Sequence, residues 1–533
     1  ALFAFCTFSS SINGPMPSSE KSSPSSGSGV EEVRPKKALF MTSSEYGQAN
    51  VILAVVYELL LRREYEIHVA SFTPLKTRIK ELNEQAGANG SNAARFHTVA
   101  GTSALEALGA RDEFIGPFPP GVKGAQETYR VTLPAMATTW GEDEYMAGYK
   151  SCTEIVQSVN PDVIVVDPIF SQGLEVCREL KRNCVILSPN TFQDMLRKRQ
   201  PISRLQFFRY PALSSGFPYP VPWMLIPANI YLRLRMVWIL ITSPAIKALM
   251  AWRKARSLPS LPPIFNIWQP QDHFLVPSTP ETDFPCYIEP NVTGCGPILL
   301  PVPSVSEIDP ALQAWLMRGP TVLINLGSHI RMDGPIAREF AAALKTLLDA
   351  RPDIQVLWKL KTSGGLSLRD GSNPVPKSKS DSGFKGTGLE EGSLDAISNE
   401  VEAGRVKILE WLSVDPLAVL QSGDVVCSVH HGGSNSFHEA LSVGVPQIIL
   451  PCWLDTLEFA NRVEYLGIGL YGSRSSAPFV KADELSAALM RVLGPGDEGV
   501  RMLEKARYLA DSVGKVGGKV RACEKIVEFL ESA

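Results

Sequence analysis

The sequence predicts an α/β protein built of two Rossmann-like domains, on three observations. The chain has 533 residues, too many for one hydrophobic core and suited to two domains of ordinary size plus tails. In both halves short, almost wholly apolar runs alternate with helical stretches, as parallel strands covered on both faces do. In each half a strand also runs into a loop of small or polar residues and then a helix, where open parallel sheets hold their ligands.

Composition narrows the class further. Hydrophobic residues make up 44% and charged residues 20%, which describes a globular protein. A net charge of −3 argues against a nucleic-acid partner. Nine cysteines without a CxxC pair favour a reducing, cytoplasmic compartment and offer no zinc site. Ala1–Phe8 is apolar but short and lacks a basic leader, so it reads as a signal peptide only if residues precede it. Residues 1–35, rich in Ser, Pro and Gly, read as a disordered tail.

The first domain is expected over 36–295. It opens with the strand Lys37–Thr42, the loop Ser43–Asn50, a helix over Val51–Arg62 and the strand Glu66–Ser71. A strand over Phe96–Ala100, a loop around Ile115–Gly124, a helix near Asp143–Val159 and the strand Val163–Asp167 follow, with Asp167 at the strand's carboxyl end. Gln172–Leu180 reads as a helix and Cys184–Ser188 as a strand. Residues 195–271 break this rhythm. They contain no Asp or Glu, eleven basic residues and four of the nine tryptophans. Arg233, Arg235 and Lys247 and several prolines interrupt the apolar runs, which argues against a membrane span. Basic, aromatic and apolar residues together suit peripheral contact with an anionic membrane, or equally helices packed on the domain with solvated arginines.

Residues 296–309, rich in Pro and Gly, read as the interdomain linker and 310–493 as the second domain. The helix Pro310–Met317 and strand Thr321–Leu326 lead to Gly327-Ser328, bare backbone at a strand's carboxyl end. The helix Pro335–Asp349 and strand Ile354–Leu360 precede 362–398, a polar insertion without periodicity that reads as a mobile loop. Residues 494–533 are expected to be helical.

The chemistry concentrates in His430-His431-Gly432-Gly433-Ser434-Asn435-Ser436-Phe437-His438-Glu439. A buried strand over Asp424–Val429 runs into a glycine pair, and a helix over Ser436–Val443 begins just after it. Its unpaired amides and positive end make a site for phosphate. His431 reaches the same anion. Glu439, roughly one turn along, can accept both hydroxyls of a ribose. Such a turn alone occurs in many α/β proteins, and Trp411 alone reads as core. The order Trp411, the glycine turn, Glu439, Gly444-Val445-Pro446, a strand over Gln447–Pro451 and then Asp455 is much harder to obtain by chance.

Trp411 through Gly469 resembles the donor-binding signature of the family 1 UDP-dependent glycosyltransferases, with weaker similarity along most of the chain. The resemblance implies the GT-B fold, two Rossmann-like domains facing each other across a cleft, with the last helix crossing back onto the first domain. It implies a UDP-sugar donor held by the second domain: Trp411 on uracil, Glu439 on the ribose, and His431, Gly433, Asn435 and Ser436 on the diphosphate, with Gly327 and Ser328 nearby. Asp455 holds the sugar. It implies transfer of a hexose, glucose first, with inversion to a hydroxyl of a small or lipid-like hydrophobic acceptor, with no cofactor and no metal.

This chain departs from the family pattern at three places. Thr456 stands where the family has Gln, which bears on the choice of sugar. Trp411-Leu412-Ser413-Val414 replaces Trp-x-Pro-Gln at the edge of the uracil pocket. Gly47-Gln48 replaces the Gly-His pair that supplies the general base, and glutamine accepts no proton at a useful pH. Three explanations stand open. Glu45 or Asp167 serves as base, with burial raising its pKa, and Gln48 positions the acceptor. Alternatively the acceptor is acidic enough, or the donor phosphate takes the proton. Or the protein binds UDP-sugar without turnover, as a silent scaffold. His97, on a strand, reads as structural.

Overall fold

The computed structural model describes residues 34–109, 118–201, 205–258, 261–328, 330–362, 389, 392–515 and 517–532. The tail expected over 1–35 and the insertion expected over 362–398 lie largely outside them. Residues 36–533 form one compact unit around two parallel sheets.

The first sheet has seven strands: β1 (Lys37–Met41), β2 (Glu66–Ser71), β3 (Arg95–Thr98), β4 (Val163–Val166), β5 (Cys184–Leu187), β6 (His273–Val276) and β7 (Val292–Gly294). Their order is β3-β2-β1-β4-β5-β6-β7. The second has six: β8 (Thr321–Asn325), β9 (Gln355–Lys359), β10 (Val406–Leu409), β11 (Val425–His430), β12 (Gln447–Ile449) and β13 (Gly469–Tyr471), ordered β10-β9-β8-β11-β12-β13. Central strands such as Val163–Val166 and Thr321–Asn325 are buried throughout, which explains their unbroken apolar runs. Strand order reverses beside β1 in the first sheet and beside β8 in the second, so each sheet has a switch-point crevice at its carboxyl ends.

Several elements differ from the sequence reading. The first helix spans Tyr46–Arg62, not Val51–Arg62, so Gln48 belongs to its first turn; the amides of Gln48 and Ala49 both donate to the Glu45 carbonyl. A helix, Val122–Ala137, continues beyond the expected loop around Ile115–Gly124 with Pro134 inside it. Just before the linker expected over 296–309, a strand not expected from the sequence, β7, closes the first sheet. Residues 395–398, assigned to the insertion, belong to a helical stretch that runs to Glu402, because Leu394 and Ile397 are buried in the second core. The C-terminal segment is two helices, Asp497–Gly514 and Gly518–Ser532. The second buries Ala522, Cys523, Ile526 and Leu530 in the core of the first sheet, beside the Tyr46–Arg62 helix.

The acid-free tract is also ordered differently from expectation. Trp223–Thr242 is continuous helix: Pro227 sits at its entrance, where its missing N–H costs nothing, and Arg233 and Arg235 leave it unbroken. By length and composition it is long enough to cross a bilayer. It packs through Leu232 and Ile239 on the Val122–Ala137 helix, whereas much of its remaining surface is exposed.

The helix Thr456–Leu466 joins the two sheets. Asn461 donates to the Phe217 carbonyl at 2.8 Å, and Arg462 donates to Asp283 at 3.1 Å, with Thr191 and Gln193 also in reach. The buried guanidinium lies between the rings of Phe284 and Phe459. Arg197 pairs with Glu458 beside it. These buried charged contacts set the second sheet's carboxyl ends against those of the first.

Candidate active site

Strand register builds the second sheet's side of the cleft. Leu409 pairs with Lys359, Lys359 with Asn325, Asn325 with His430, and His430 with Ile449. This row closes the carboxyl ends of five strands at one level. The residues just beyond it, Trp411, Gly327, Ser328 and His431, therefore rise together into the space between the sheets, and all four line one cavity.

Two glycines allow the chain to turn there. Gly432 has φ +86°, and a Cβ on it would meet Ile449 Cγ2 at 2.7 Å and the Thr456 carbonyl at 2.9 Å. Gly327 has φ +82°, and its Cβ would strike the His431 ring at 2.8 Å. Backbone bareness thus seats the imidazole, which also faces Trp453 at 5.7 Å between centroids. The helix Ser434–Ser442 begins at once, with no side chain capping it. Its first-turn amides have no intrahelical acceptor, and Gly433, Ser434, Asn435 and Ser436 line the cavity. Ser434 and Asn435 also donate across the cleft, to the carbonyls of Pro189 and Tyr46.

Glu439 lies in the second turn on the cavity wall. Burial and then Asp415 push its carboxyl up to about 8. Asp455 also lines the cavity, and burial raises it to about 7, with Asp194 adding to the effect. Trp411 is half-exposed, with the Lys359 ammonium 3.8 Å from its ring centre.

Two expectations for site residues change. Thr456 is buried and turned away from the cavity: its hydroxyl accepts from the amides of Cys452 and Trp453 at 3.1 and 3.0 Å. The short side chain there shapes the loop carrying Asp455 and does not line the cavity. Asp167 is wholly buried and does not line the cavity. It accepts from Ile169 N at 2.9 Å, Thr42 Oγ1 at 3.2 Å and Ser43 N at 3.4 Å. Burial raises it to about 7, and Glu45 contributes to the rise. Asp167 thus braces the loop after β1. Glu45 and Gln48, by contrast, both line the cavity, one at the helix entrance and one in its first turn. His97 lies on β3 with its ring 2.8 Å from His68, away from the cavity, as a structural residue would.

Lys359 and Lys361 were not foreseen. Lys359 ends β9 and Lys361 follows two residues on; they donate to the carbonyls of Gly327 and Ser328 and bring positive charge to the second sheet's side of the cleft. Burial, with Lys361 beside it, lowers Lys359 to about 8. A Lys-Leu-Lys sequence closing a central parallel strand was the available signal. Nothing in the sequence announced the far end of the cavity, where Met136, Trp140, Leu249 and Trp252 form an apolar wall around the buried Arg253. Arg253 is paired to Glu175 at 2.8 and 2.9 Å, and Tyr145 donates to the same carboxylate. The cavity holds about 860 Å³, room for two small molecules end to end. Among the described residues no group of three or more His, Cys, Asp and Glu is placed to hold a metal ion.

These carboxyls make stability depend on pH. In the folded chain Asp167, Asp455 and Glu439 hold protons to about 7, 7 and 8, while the unfolded chain releases them near 4. Folding therefore takes up protons in between, and stability falls as pH rises toward those values. Below about 6.5 the buried His430 and His438, lowered to about 4 and about 3, act in the opposite sense. From pH 6.5 to about 7.5, before the lowered Lys359 begins to act in the opposite sense, the carboxyls dominate, so the melting temperature of the ligand-free protein should drop by on the order of a few degrees. A flat or rising calorimetric profile in that window would contradict these raised values.

Two nucleotide-fold sheets closing on a cavity with an uncapped helix N-terminus on one side define the GT-B class of nucleotide-sugar transferases. Comparison with known proteins agrees. Residues 395–511 match the family described as erythromycin biosynthesis protein CIII-like, C-terminal domain. Glycosyltransferase sdnJ of Sordaria araneosa is 38% identical over 520 residues, covering 91% of this chain and 96% of that protein. NDP-glycosyltransferase YjiC of Bacillus subtilis is 31% identical over 121 residues, 23% of this chain and 29% of its own. A solved UDP-glucosyltransferase from Polygonum tinctorium, capable of glucosylating indoxyl, shares the fold with TM-score 0.60 at 18% identity, over 94% of this chain and 100% of that one. The chain belongs to the UDP-glycosyltransferase family of GT-B fold. It is an enzyme that moves a sugar from a nucleotide-sugar donor to a small-molecule acceptor.

Proposed function

We propose that the enzyme transfers a hexose, glucose first among candidates, from its UDP-sugar to a hydroxyl of a hydrophobic acceptor, with inversion. One observation carries this reading: a single cavity takes His431, the first turn of Ser434–Ser442, Glu439 and Asp455 from one side and Glu45 and Gln48 from the other. Uracil stacks on Trp411, Glu439 accepts the ribose hydroxyls, and the diphosphate sits on the helix amides and His431. Asp455 holds sugar hydroxyls. The apolar wall of Met136, Trp140, Leu249 and Trp252 suits a hydrophobic acceptor.

The acceptor oxygen attacks the anomeric carbon from the face opposite the diphosphate. The C–O bond to the β-phosphate breaks, and its electron pair stays on the phosphate oxygen. His431, the amides and Lys359 at the end of β9 stabilise that charge without a metal. The hydroxyl proton passes to Glu45, which lines the cavity as Asp167 does not, and Gln48 positions the acceptor. All eight described cysteines are free, which fits a reducing, cytoplasmic setting.

The test is UDP release from UDP-glucose, UDP-galactose and UDP-glucuronic acid with a panel of hydrophobic alcohols. Acceptor-dependent release with a β-linked product from an α-linked donor is expected. UDP binding without release on any acceptor would instead favour a silent donor-binding protein.

A further inference from the structure

The helix Ile226–Thr242 carries an apolar stripe that nothing in the described fold covers. Met224, just before it, and Pro227, Tyr231, Leu234, Trp238 and Ile241 recur at alternating steps of three and four residues, so they share one face. All are exposed, and apart from Pro227 they range from 47% at Tyr231 to 70% at Met224. The stripe runs about 26 Å along the helix. A row of this length on the outside of a domain is a contact surface in search of an apolar partner.

Charge selects the partner. From Met195 to Gln271 there is no Asp or Glu. Lys247 and Lys254 are exposed on the next helix, Pro244–Ala255, and Arg235 lies at the stripe's flank. Arg233 belongs to the opposite face, where it donates to the Tyr210 carbonyl at 2.8 Å, and so takes no part in the charge. The three- and four-residue spacing would also suit pairing with a second copy. Such a pair would face basic flank with basic flank, with no acid to answer it. Aromatic rings and lysines bordering an apolar face are instead the makeup of a helix lying in an anionic membrane interface. A spanning helix is disfavoured by its inner face: Asn229 ties Ala212 and Tyr210 together at 2.6 and 2.8 Å, and Leu232 and Ile239 are buried in the domain.

We propose that this helix docks the enzyme on anionic lipid bilayers, its axis parallel to the surface and its stripe among the acyl chains. The next helix faces two ways. Its Leu249 and Trp252 wall the far end of the cavity, while its lysines flank the dock. Resting on the reading of that end as the acceptor site, the acceptor is then a membrane-partitioned alcohol taken up beside the lipid surface.

Flotation of the full chain with vesicles of phosphatidylcholine, with and without about a third phosphatidylserine, tests the dock. The wild type should float with the anionic vesicles. Leu234→Ser with Trp238→Ser should float at least about tenfold less, and Lys247→Glu with Lys254→Glu should lose the preference for phosphatidylserine. UDP affinity and UDP release with soluble acceptors should be the same in all three proteins, so loss of docking is distinguishable from loss of the donor site. Three results would overturn the proposal. They are wild type left in the soluble fraction beside anionic vesicles, a dimer that Leu234→Ser with Trp238→Ser dissolves, and membrane-bound protein that resists alkaline carbonate as a spanning helix does.

Discussion

Replacing His431 and Glu439 together by alanine should weaken UDP binding by about 10²–10⁴-fold, each side chain contributing about 1.5–3 kcal/mol of charge-assisted hydrogen bonding. The loss should fall on binding and not on folding. Burial and Asp415 already hold the Glu439 carboxyl at about 8, so the free protein bears a cost for ionising it that alanine removes. His431 occupies space between Gly327, Gly433 and Trp453 at the cavity wall. Calorimetric titration with UDP, paired with melting temperatures, separates the two effects. Unchanged affinity in the double variant would remove the basis for placing the diphosphate at this helix.

The second large effect concerns the missing histidine. Glu45→Gln should lower kcat by about 10²–10⁴-fold, the ordinary worth of general-base help, with the KM for the sugar nucleotide nearly unchanged. Restoring an imidazole at the first helical turn, as Gln48→His in the Glu45→Gln background, should recover part of that rate and shift the pH–rate profile toward an imidazole's range. Asp167→Asn should act more weakly and in part through stability. It leaves side-chain oxygen and nitrogen among Thr42, Ser43 and Ile169 but removes a carboxyl raised to about 7. If Glu45→Gln retains full rate, the proton leaves by another route, the donor phosphate or the acceptor's own acidity.

Lys359, at the end of β9, and Lys361, just beyond it, show how far a sequence carries such a site. Sequence reading placed the strand correctly and found no chemistry in it, because lysine at the end of a strand is commonly solvated. Only register makes Lys359 a neighbour of both Trp411 and Gly327. Thr456 fails in the opposite direction. Its place beside Asp455 suggested a shared role, yet a β-hydroxyl reaches back to the preceding amides while the longer acid faces the cavity.

Most strands of both sheets and the glycine turn before Ser434–Ser442 were legible in the chain alone, whereas β6, β7 and β13, too short to stand out as apolar runs, were not. Apolar runs mark buried strands, and glycine pairs mark backbone that must approach something closely, and both signals are local. What lies across the cleft was decided only by tertiary packing. Which carboxylate of the first domain reaches the cavity depends on where a helix begins, and Tyr46–Arg62 starts early enough to place Glu45 at its entrance. The exposed stripe on Ile226–Thr242 needed the fold as well. Its arginines looked like interruptions in the linear sequence, and the helix turns Arg233 inward against Tyr210, leaving the outer face unbroken. Local residue chemistry specified the parts, and the juxtaposition of distant segments specified what they face.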